Sequence, residues 1–481
     1  MSIDACATAL VLGEMDEALE VLEEGRALLL GDFDKLLKDL DRLEVQHIAL
    51  FHRFQSVRTS ILYGRASSSG SWRTEREELL PLLDPLGQVI KEIRSLSGFE
   101  DFLVPLTAKE IRGAAQTHPI VVLVGSILHQ DAIVLSRDKV DHVDLCEAVD
   151  PEHFIAPEEL RELSREDMSA IIDDSNDFSV RNHYLCDILQ RLWKGVAEPI
   201  SNTIGFEKLN RSPTVEEILL NSCKRHIIWM RTGDFHRLTI NMALDGSSSP
   251  PTPFCAYATS SFTSSFRALL AGQSRQHIFK KEEVSGSIIS MPPKSQKLSN
   301  GEQNMDTRSL RSRGLWIRNV YEECSRTVKE HSLESHFLHL ICHGVSIPDN
   351  PMQSYLQLWD RSTGDKGRPA RLTISQIAQW NTSNSCLAFL SSCSMADAAA
   401  PALYEENLDV CNALNLAGIC DVVGSMWPIP DKVGAMVAEG FWSFINLGIQ
   451  DGENYDSYEV AMALNAGIVV AATKNPGEAL N

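Results

Sequence analysis

Phe337-Leu338-His339-Leu340-Ile341-Cys342-His343-Gly344 and Cys386-Leu387-Ala388-Phe389-Leu390-Ser391-Ser392-Cys393 are the two stretches on which the reading of the fold turns. Each is an apolar run of the length of a buried strand, and each stops at a reactive side chain followed by a small residue. Near-continuous apolar strands suit a parallel sheet covered on both faces. In such a sheet the loops at the carboxyl ends of adjacent strands converge on one crevice. The separation, 393 − 343 = 50 residues, is enough for a crossover carrying one helix. A histidine and a cysteine meeting there have a defined chemistry. The imidazole takes the thiol proton, the thiolate attacks a carbonyl carbon, and the imidazolium returns the proton to the leaving amine. Gly344, lacking a Cβ, lets a backbone amide approach a developing oxyanion, and the Cys393 amide supplies a second donor. Each such donor is typically worth ~3 kcal/mol.

In this order and spacing the stretches resemble the caspase-like CHAT family of clan CD cysteine peptidases. The best-matched parts are His339 to Gly344, Leu390 to Ala396, and Gly418 to Pro428, the last similar to the family's glycine-then-tryptophan strand. The resemblance implies an α/β caspase-like sheet flanked by helices, preceded by an all-α, repeat-like helical region. It implies a cysteine endopeptidase with Cys393 as nucleophile, His343 as general base and acid, and the Gly344 and Cys393 amides as oxyanion hole. No metal or organic cofactor is needed for that chemistry. Families of this kind also contain inactive members, so a non-catalytic CHAT-fold scaffold is the alternative. The resemblance further implies a proline near Arg231 and a histidine near Asn241, both replaced here, and one more strand beyond Asn481.

Three acidic residues bear on specificity. Glu405 and Asp409, with Glu406, are expected on the helix after Cys393, and Asp431 follows Trp427-Pro428-Ile429-Pro430. They read either as a subsite for a basic P1 side chain or as a solvated face, with a helix N-cap favoured for Asp431. A zinc reading of His339, Cys342 and His343 fails on geometry, because three ligands within five residues of a strand splay to both faces. Cys342, Cys386, Cys411 and Cys420 read as core.

Composition limits the rest. With 481 residues the chain holds two or three domains, and a net charge of −21 argues against nucleic acid or an anionic membrane as the main partner. A protein or peptide substrate is the fitting ligand. None of the eleven cysteines forms a C-x-x-C pair, and no basic stretch followed by an apolar core opens the chain. A reducing cytoplasm is the default compartment, one that keeps Cys393 a thiol. No apolar run reaches the ~18 residues of a membrane span.

Along the chain, residues 1–66 read as helical. Gly13-x4-Ala18-x3-Leu22 is similar to half of a tetratricopeptide repeat, a surface expected to bind a protein partner. Leu36, Leu40, Leu43, His47, Leu50, Phe54, Val57 and Ile61 predict one helix over 34–63, with His47 in a core slot. Residues 67–71 form a serine-rich break. The segment 73–180 reads as a helix over 74–96, a packing phrase at 96–103 like that of fungal family members, and strands near 119–124, 132–135 and 140–145. Those strands predict a small pseudo-protease-like sheet. A helix at 157–172 and a linker at 173–177 follow. The CHAT region, 181–481, opens with a helix over 185–200. Strands are expected at 227–230, 254–259, 288–293 and 355–359, helices at 264–270 and 375–380, and a polar insertion at 294–313.

Overall fold

The structure is a computed structural model. It describes residues 2–30, 33–67, 84–126, 128–146, 186–206, 214–222, 224–247, 249, 251–274, 284–290, 316–321, 325–347, 351–360, 368–378, 380, 382, 385–391, 409–426, 429, 431–445 and 456–474. The expectations at 68–71, 157–172, 173–177 and 294–313 lie outside these residues.

The N-terminal hairpin is α1 (Ser2–Val11) and α2 (Met15–Leu30), turned at Gly13, whose φ of +79° favours a residue without Cβ. Its buried face, Ile3, Ala7, Leu10, Ala18, Leu19 and Leu22, packs on a β-sheet of the same chain. The next expected helix is interrupted, giving α3 (Phe33–Gln46) and α4 (Ile48–Ser67). The hydrogen-bond ladder persists, His47 donating to the Leu43 carbonyl and accepting from the Phe51 amide. The departure is therefore local to His47, whose ring meets Phe99 edge-on. Leu40, Leu43 and Phe54 close a core with α5 (84–94) and with Phe99 and Phe102 of the packing phrase. A short helix, α6 (Ala108–Gly113), starts with a full capping box between Thr107 and Glu110.

The first sheet contains β1 (Ile120–Gly125), β2 (Gln130–Leu135), β3 (Val140–Asp144), β4 (His226–Arg231) and β5 (Thr259–Phe262), in the order β3-β2-β1-β4-β5. The first three strands form an antiparallel meander, and β4 and β5 are added in parallel. Strands from both sides of residue 181 thus share one sheet. Alternation along β1 explains its two covers. Ile120, Val122 and Val124 face the α1–α2 hairpin, while Val121 and Leu123 face a second core. That second core holds Trp193, from α7 (186–204), which carries a π-helical stretch at Trp193–Ala197.

Residues 254–258 are not strand. Phe254–Ala256 is a 3-10 turn, because Phe254 and Tyr257 sit at helical spacing and both pack their rings on Trp193. The strand starts only at Thr259. After it comes α9 (Phe266–Ser274), α8 being Val215–Ser222. Buried Glu23 of α2 accepts from the Phe266 and Arg267 amides at 3.0 Å, and buried Arg26 donates to the carbonyls of Ser264 and Arg231. This pair ties the hairpin to the loop that leaves the sheet.

The second sheet is wholly parallel. It comprises β6 (Ser285–Ser290), β7 (Trp316–Tyr321), β8 (Phe337–Ile341), β12 (Leu387–Ser391) and β13 (Asp421–Val423), in the order β13-β12-β8-β6-β7. Helix α10 (Ser325–Glu334) is the crossover between β7 and β8. Between β8 and β12 the chain makes a separate antiparallel sheet of β9 (His343–Val345), β10 (Tyr355–Asp360) and β11 (Arg368–Thr373). The helix expected at 375–380 shrinks to one turn, α11 (Ile374–Ile377), started by a capping box of Thr373 and Gln376. The chain then continues through α12 (Val410–Leu416), α13 (Asp431–Ile445) and α14 (Ser457–Lys474).

Helix α14 joins the two halves. It packs on α13 and β13 of the second unit and on α8 and β5 of the first. Asn465 donates to the Cys255 carbonyl at 3.0 Å, and Tyr458 stacks on His226 with centroids 4.9 Å apart. The α13–α14 contact is made by glycines. A Cβ on Gly467 would lie 2.6 Å from the Val437 carbonyl oxygen, and one on Gly440 2.7 Å from Gly467 Cα. Helix propensity alone favours alanine at such positions by up to ~1 kcal/mol. The clash reverses that sign, so Gly467→Ala is expected to destabilise by about 1–3 kcal/mol, read as a lowered urea midpoint. A raised midpoint would show that the helices separate freely.

His226 gives the joint a pH dependence. Burial, then the neighbouring His118, push its pKa down to about 3 from 6.5, and its Nε2 pairs with the Ser261 hydroxyl at 2.8 Å. The neutral ring is favoured by the fold, so its contribution is complete above pH 6.5 and is lost as pH falls toward 3. Between pH 7.5 and 5 the loss expected from this group is about 2 kcal/mol. Urea midpoints across that range should fall less steeply in His226→Gln than in the wild type.

Candidate functional site

The carboxyl edge of the second sheet is built by the pairing of β8 with β12. Their register runs from Phe337↔Leu387 to Ile341↔Ser391. Alternate residues serve alternate cores. Leu338, Leu340, Ala388 and Leu390 face α12, while Phe337, Ile341, Leu387 and Phe389 face α13 and α14. His339 belongs to the second set. It is buried, its Nε2 lies 2.8 Å from Ser391 Oγ, and its ring packs against Phe389 and Trp442. This hydrogen bond crosses the two strands close to their ends, so His339 is a fastening within the sheet.

Beyond Ile341 the chain passes through buried Cys342 to His343, which is exposed. His343 and Gly344 open β9, opposite Gln357 and Leu356 respectively. His343 therefore stands where a parallel strand hands over to an antiparallel sheet, a feature its apolar run did not announce. Cys393, Glu405 and Glu406 lie outside the described residues. The strand that leads to Cys393 is well anchored at its start. Ser385 Oγ donates to the Ser335 carbonyl at 2.6 Å and also to that of Ser332, and the Cys386 amide donates to the His336 carbonyl at 2.9 Å.

Asp409 was expected on the helix after Cys393; it instead precedes α12 as its N-cap. It is buried, Oδ1 accepting from the Asn412 amide and Oδ2 from the Asn412 side chain, both at 2.7 Å. Its charge also reaches Arg231, at the end of β4. Burial lowers the Arg231 pKa to about 10, and the Asp409 carboxylate opposes that fall. The Arg231 guanidinium donates to the Leu238 carbonyl at 2.9 Å and to Met426 Sδ at 3.4 Å, and it lies over the Phe262 ring. Met426 belongs to the loop after β13, so this arginine carries the first unit into the edge of the second. Sequence reasoning passed over it. The available signal was a cation closing the apolar run His226-Ile227-Ile228-Trp229-Met230. Asp431 is the first residue of α13.

Of the other described thiols in the second unit, three are buried. Burial holds the Cys386 and Cys411 thiols well above the ordinary range, and Cys342 is buried. Cys420 is half-buried, short of the full burial expected of a core residue.

Asp409 also gives a test of how much the edge depends on its cap. Asparagine caps as well as aspartate, whereas alanine forfeits about 1 kcal/mol. Asp409→Asn is expected to unfold at higher urea than Asp409→Ala by that margin. Equal midpoints for the two variants would assign the whole effect to the charge on Arg231.

Residues 187–446 match the family described as CHAT domain. Among solved structures, two crystal structures of the Saccharomyces cerevisiae separase–securin complex are similar, with TM-scores of 0.46 and 0.44 and sequence identities of 10% and 12%. They cover 98% and 96% of this chain, which spans only 42% and 37% of those chains. No curated protein sequence matches the chain significantly.

Proposed function

Because the chain belongs to the CHAT domain family, we propose that it is a cysteine endopeptidase whose Cys393 and His343 form the catalytic dyad. The observation that carries this reading is the strand register. Ile341 pairs with Ser391 across adjacent parallel strands, and His343 and Cys393 each follow two residues later in sequence. Neighbouring strands lie about 4.8 Å apart. Equal spacing in sequence from a paired position supports a meeting of the thiol and the imidazole. The exposure of His343 suits a group that must meet substrate.

In the proposed reaction His343 takes the Cys393 proton, the thiolate adds to the scissile carbonyl, and the oxyanion is met by the amides of Gly344 and Cys393. Collapse of the adduct expels the amine, which leaves with the proton from His343, and water then hydrolyses the acyl-enzyme. Neither metal nor cofactor enters these steps. The substrate is a protein or peptide. An acidic subsite for a basic P1 residue falls to Glu405 and Asp431 before Asp409, because both Asp409 oxygens are already held by Asn412. A protein partner is proposed on the helical region of α3 to α5, since the α1–α2 hairpin spends its apolar face on the first sheet. The reducing cytoplasm is the proposed compartment. None of the described helices is long and apolar enough to cross a membrane.

The second reading, a non-catalytic scaffold, draws on the same Asp409, whose burial at the mouth of the sheet suits a surface that holds its shape without receiving a side chain. One experiment separates the two. Purified protein is treated with peptidyl electrophiles carrying basic, acidic or apolar P1 residues, beside Cys393→Ala and His343→Ala. The peptidase reading expects labelling that Cys393→Ala abolishes and His343→Ala slows by ~10²-fold or more. Folded wild type that takes no label, or label that survives Cys393→Ala, would leave the scaffold.

A further inference from the structure

A second cluster of reactive side chains lies far from the dyad in sequence, at the β3 edge of the first sheet. The β2–β3 hairpin contains His129-Gln130-Asp131 on one arm and His142-Val143-Asp144-Leu145-Cys146 on the other. Residues two apart on a strand share a face. Asp131 is paired directly with Asp144, and Ile133 with His142. The polar members of both arms therefore gather on one side. His129, Asp144 and Cys146 each offer one ligand atom, and these atoms all lie within 4.8 Å of one another.

Three features make this more than a chance grouping. The first is the environment of His129. Its Nδ1 lies 3.0 Å from Asp131 Oδ1, and its Nε2 lies 3.4 Å from Asp144 Oδ2. A neutral imidazole has one N–H to offer. A carboxylate stands at each ring nitrogen, so one nitrogen can face a cation while Asp131 holds the other. The second is Asp131, which is fully buried. Its Oδ1 serves both His129 and His142, the latter at 2.6 Å, while its Oδ2 has no hydrogen-bond partner. A buried carboxylate that receives the distal N–H of a ligating histidine fixes the tautomer and aims the other nitrogen at the metal. The third is Asp144, whose Oδ1 accepts from the Cys146 amide at 2.8 Å, holding the carboxylate beside the thiol it would share a metal with.

We propose that His129, Asp144 and Cys146 bind a zinc-class divalent cation, with Asp131 as the residue that orients His129. The 3.4 Å between His129 Nε2 and Asp144 Oδ2 is the edge length, about 3.3–3.4 Å, of a tetrahedron whose ligands stand ~2.0–2.1 Å from zinc. One nitrogen, one oxygen and one sulfur ligand suit Zn²⁺ and its spectroscopic substitute Co²⁺ better than Mg²⁺ or Ca²⁺, which take oxygen. Binding displaces the Cys146 thiol proton to solvent and leaves His129 neutral, its single proton on Nδ1 toward Asp131. His129 and Asp144 are both partly exposed, so water fills the fourth position. The site would clamp the edge strand of the sheet that α1 covers, where Ser126 also donates to Asp4 at 2.8 Å. It is independent of the dyad and is no part of the peptidase mechanism.

The test uses the full chain, stripped with chelator and titrated with Co²⁺. The site predicts one equivalent bound, with sulfur-to-cobalt charge transfer in the near ultraviolet and the strong visible bands of four-coordinate Co²⁺. Cys146→Ser should lose the charge-transfer band, and Cys420→Ser should keep it. Asp131→Asn should weaken Zn²⁺ binding by about 10–100-fold in competition with a chromophoric chelator. Circular dichroism of each stripped variant separates lost ligation from lost folding, and His129→Gln gives a second ligand variant if Cys146→Ser does not fold. Absence of stoichiometric Co²⁺ binding by folded wild type would overturn the proposal. So would a charge-transfer band that persists in folded Cys146→Ser.

Discussion

The in-register parallel pairing of two buried strands, Phe337–Ile341 and Leu387–Ser391, is the constraint on which the rest of the second unit depends. Both strands are buried on both faces, so a slip of one residue would send Leu338, Leu340, Ala388 and Leu390 to the α13–α14 side and the aromatic Phe389 to the other. Two interdigitated cores therefore hold one register. The His339–Ser391 hydrogen bond repeats the instruction in polar form at the end nearest the site. The position of His343 beyond the strand end inherits its precision from this apolar packing.

The two sheets are not independent bodies strung on a linker. Helix α14 comes last among the described elements, yet it touches both, and a pair of glycines lets it lie close on α13. Glu23 and Arg26 of α2 secure the loop that leaves β5, and Arg231 extends from β4 to Met426 beyond β13. Each of these is a buried polar group bonded across a long sequence separation. Such contacts specify relative placement more than they add stability, since burying the charges carries its own cost. A short series of contacts, Arg26 to the Arg231 carbonyl and the Arg231 guanidinium to Met426, thus connects the hairpin with the loop after β13.

What sequence reasoning could and could not see follows from the range of each interaction. The hairpin at the start, the strands 120–125, 130–135, 140–144, 226–231, 337–341 and 387–391, and their apolar character were all legible because periodicity and run length are local. His343 was legible as a residue just past the end of a buried run. Misreadings arose where distant partners decide. Residues 254–258 look like strand, but Trp193, sixty residues earlier, selects a turn that seats Phe254 and Tyr257. The helix predicted over 34–63 is interrupted where Phe99 meets His47. Asp409 looks like a helix-face carboxylate until its capping of Asn412 is seen.

By itself, then, the amino-acid sequence marked the two buried strands at 337–341 and 387–391, their order along the chain, and the histidine and cysteine proposed to act together. Burial pattern and residue chemistry are properties of short segments, so they survive without coordinates. Only the tertiary structure decided which strands share a sheet, uniting 120–144 with 226–262, and which polar side chains face one another. The pairing of Asp131 with Asp144 and the reach of Arg231 to Met426 arise from strand register and sheet packing. Those are settled by the sum of many apolar contacts over the whole chain, and no single segment carries that sum.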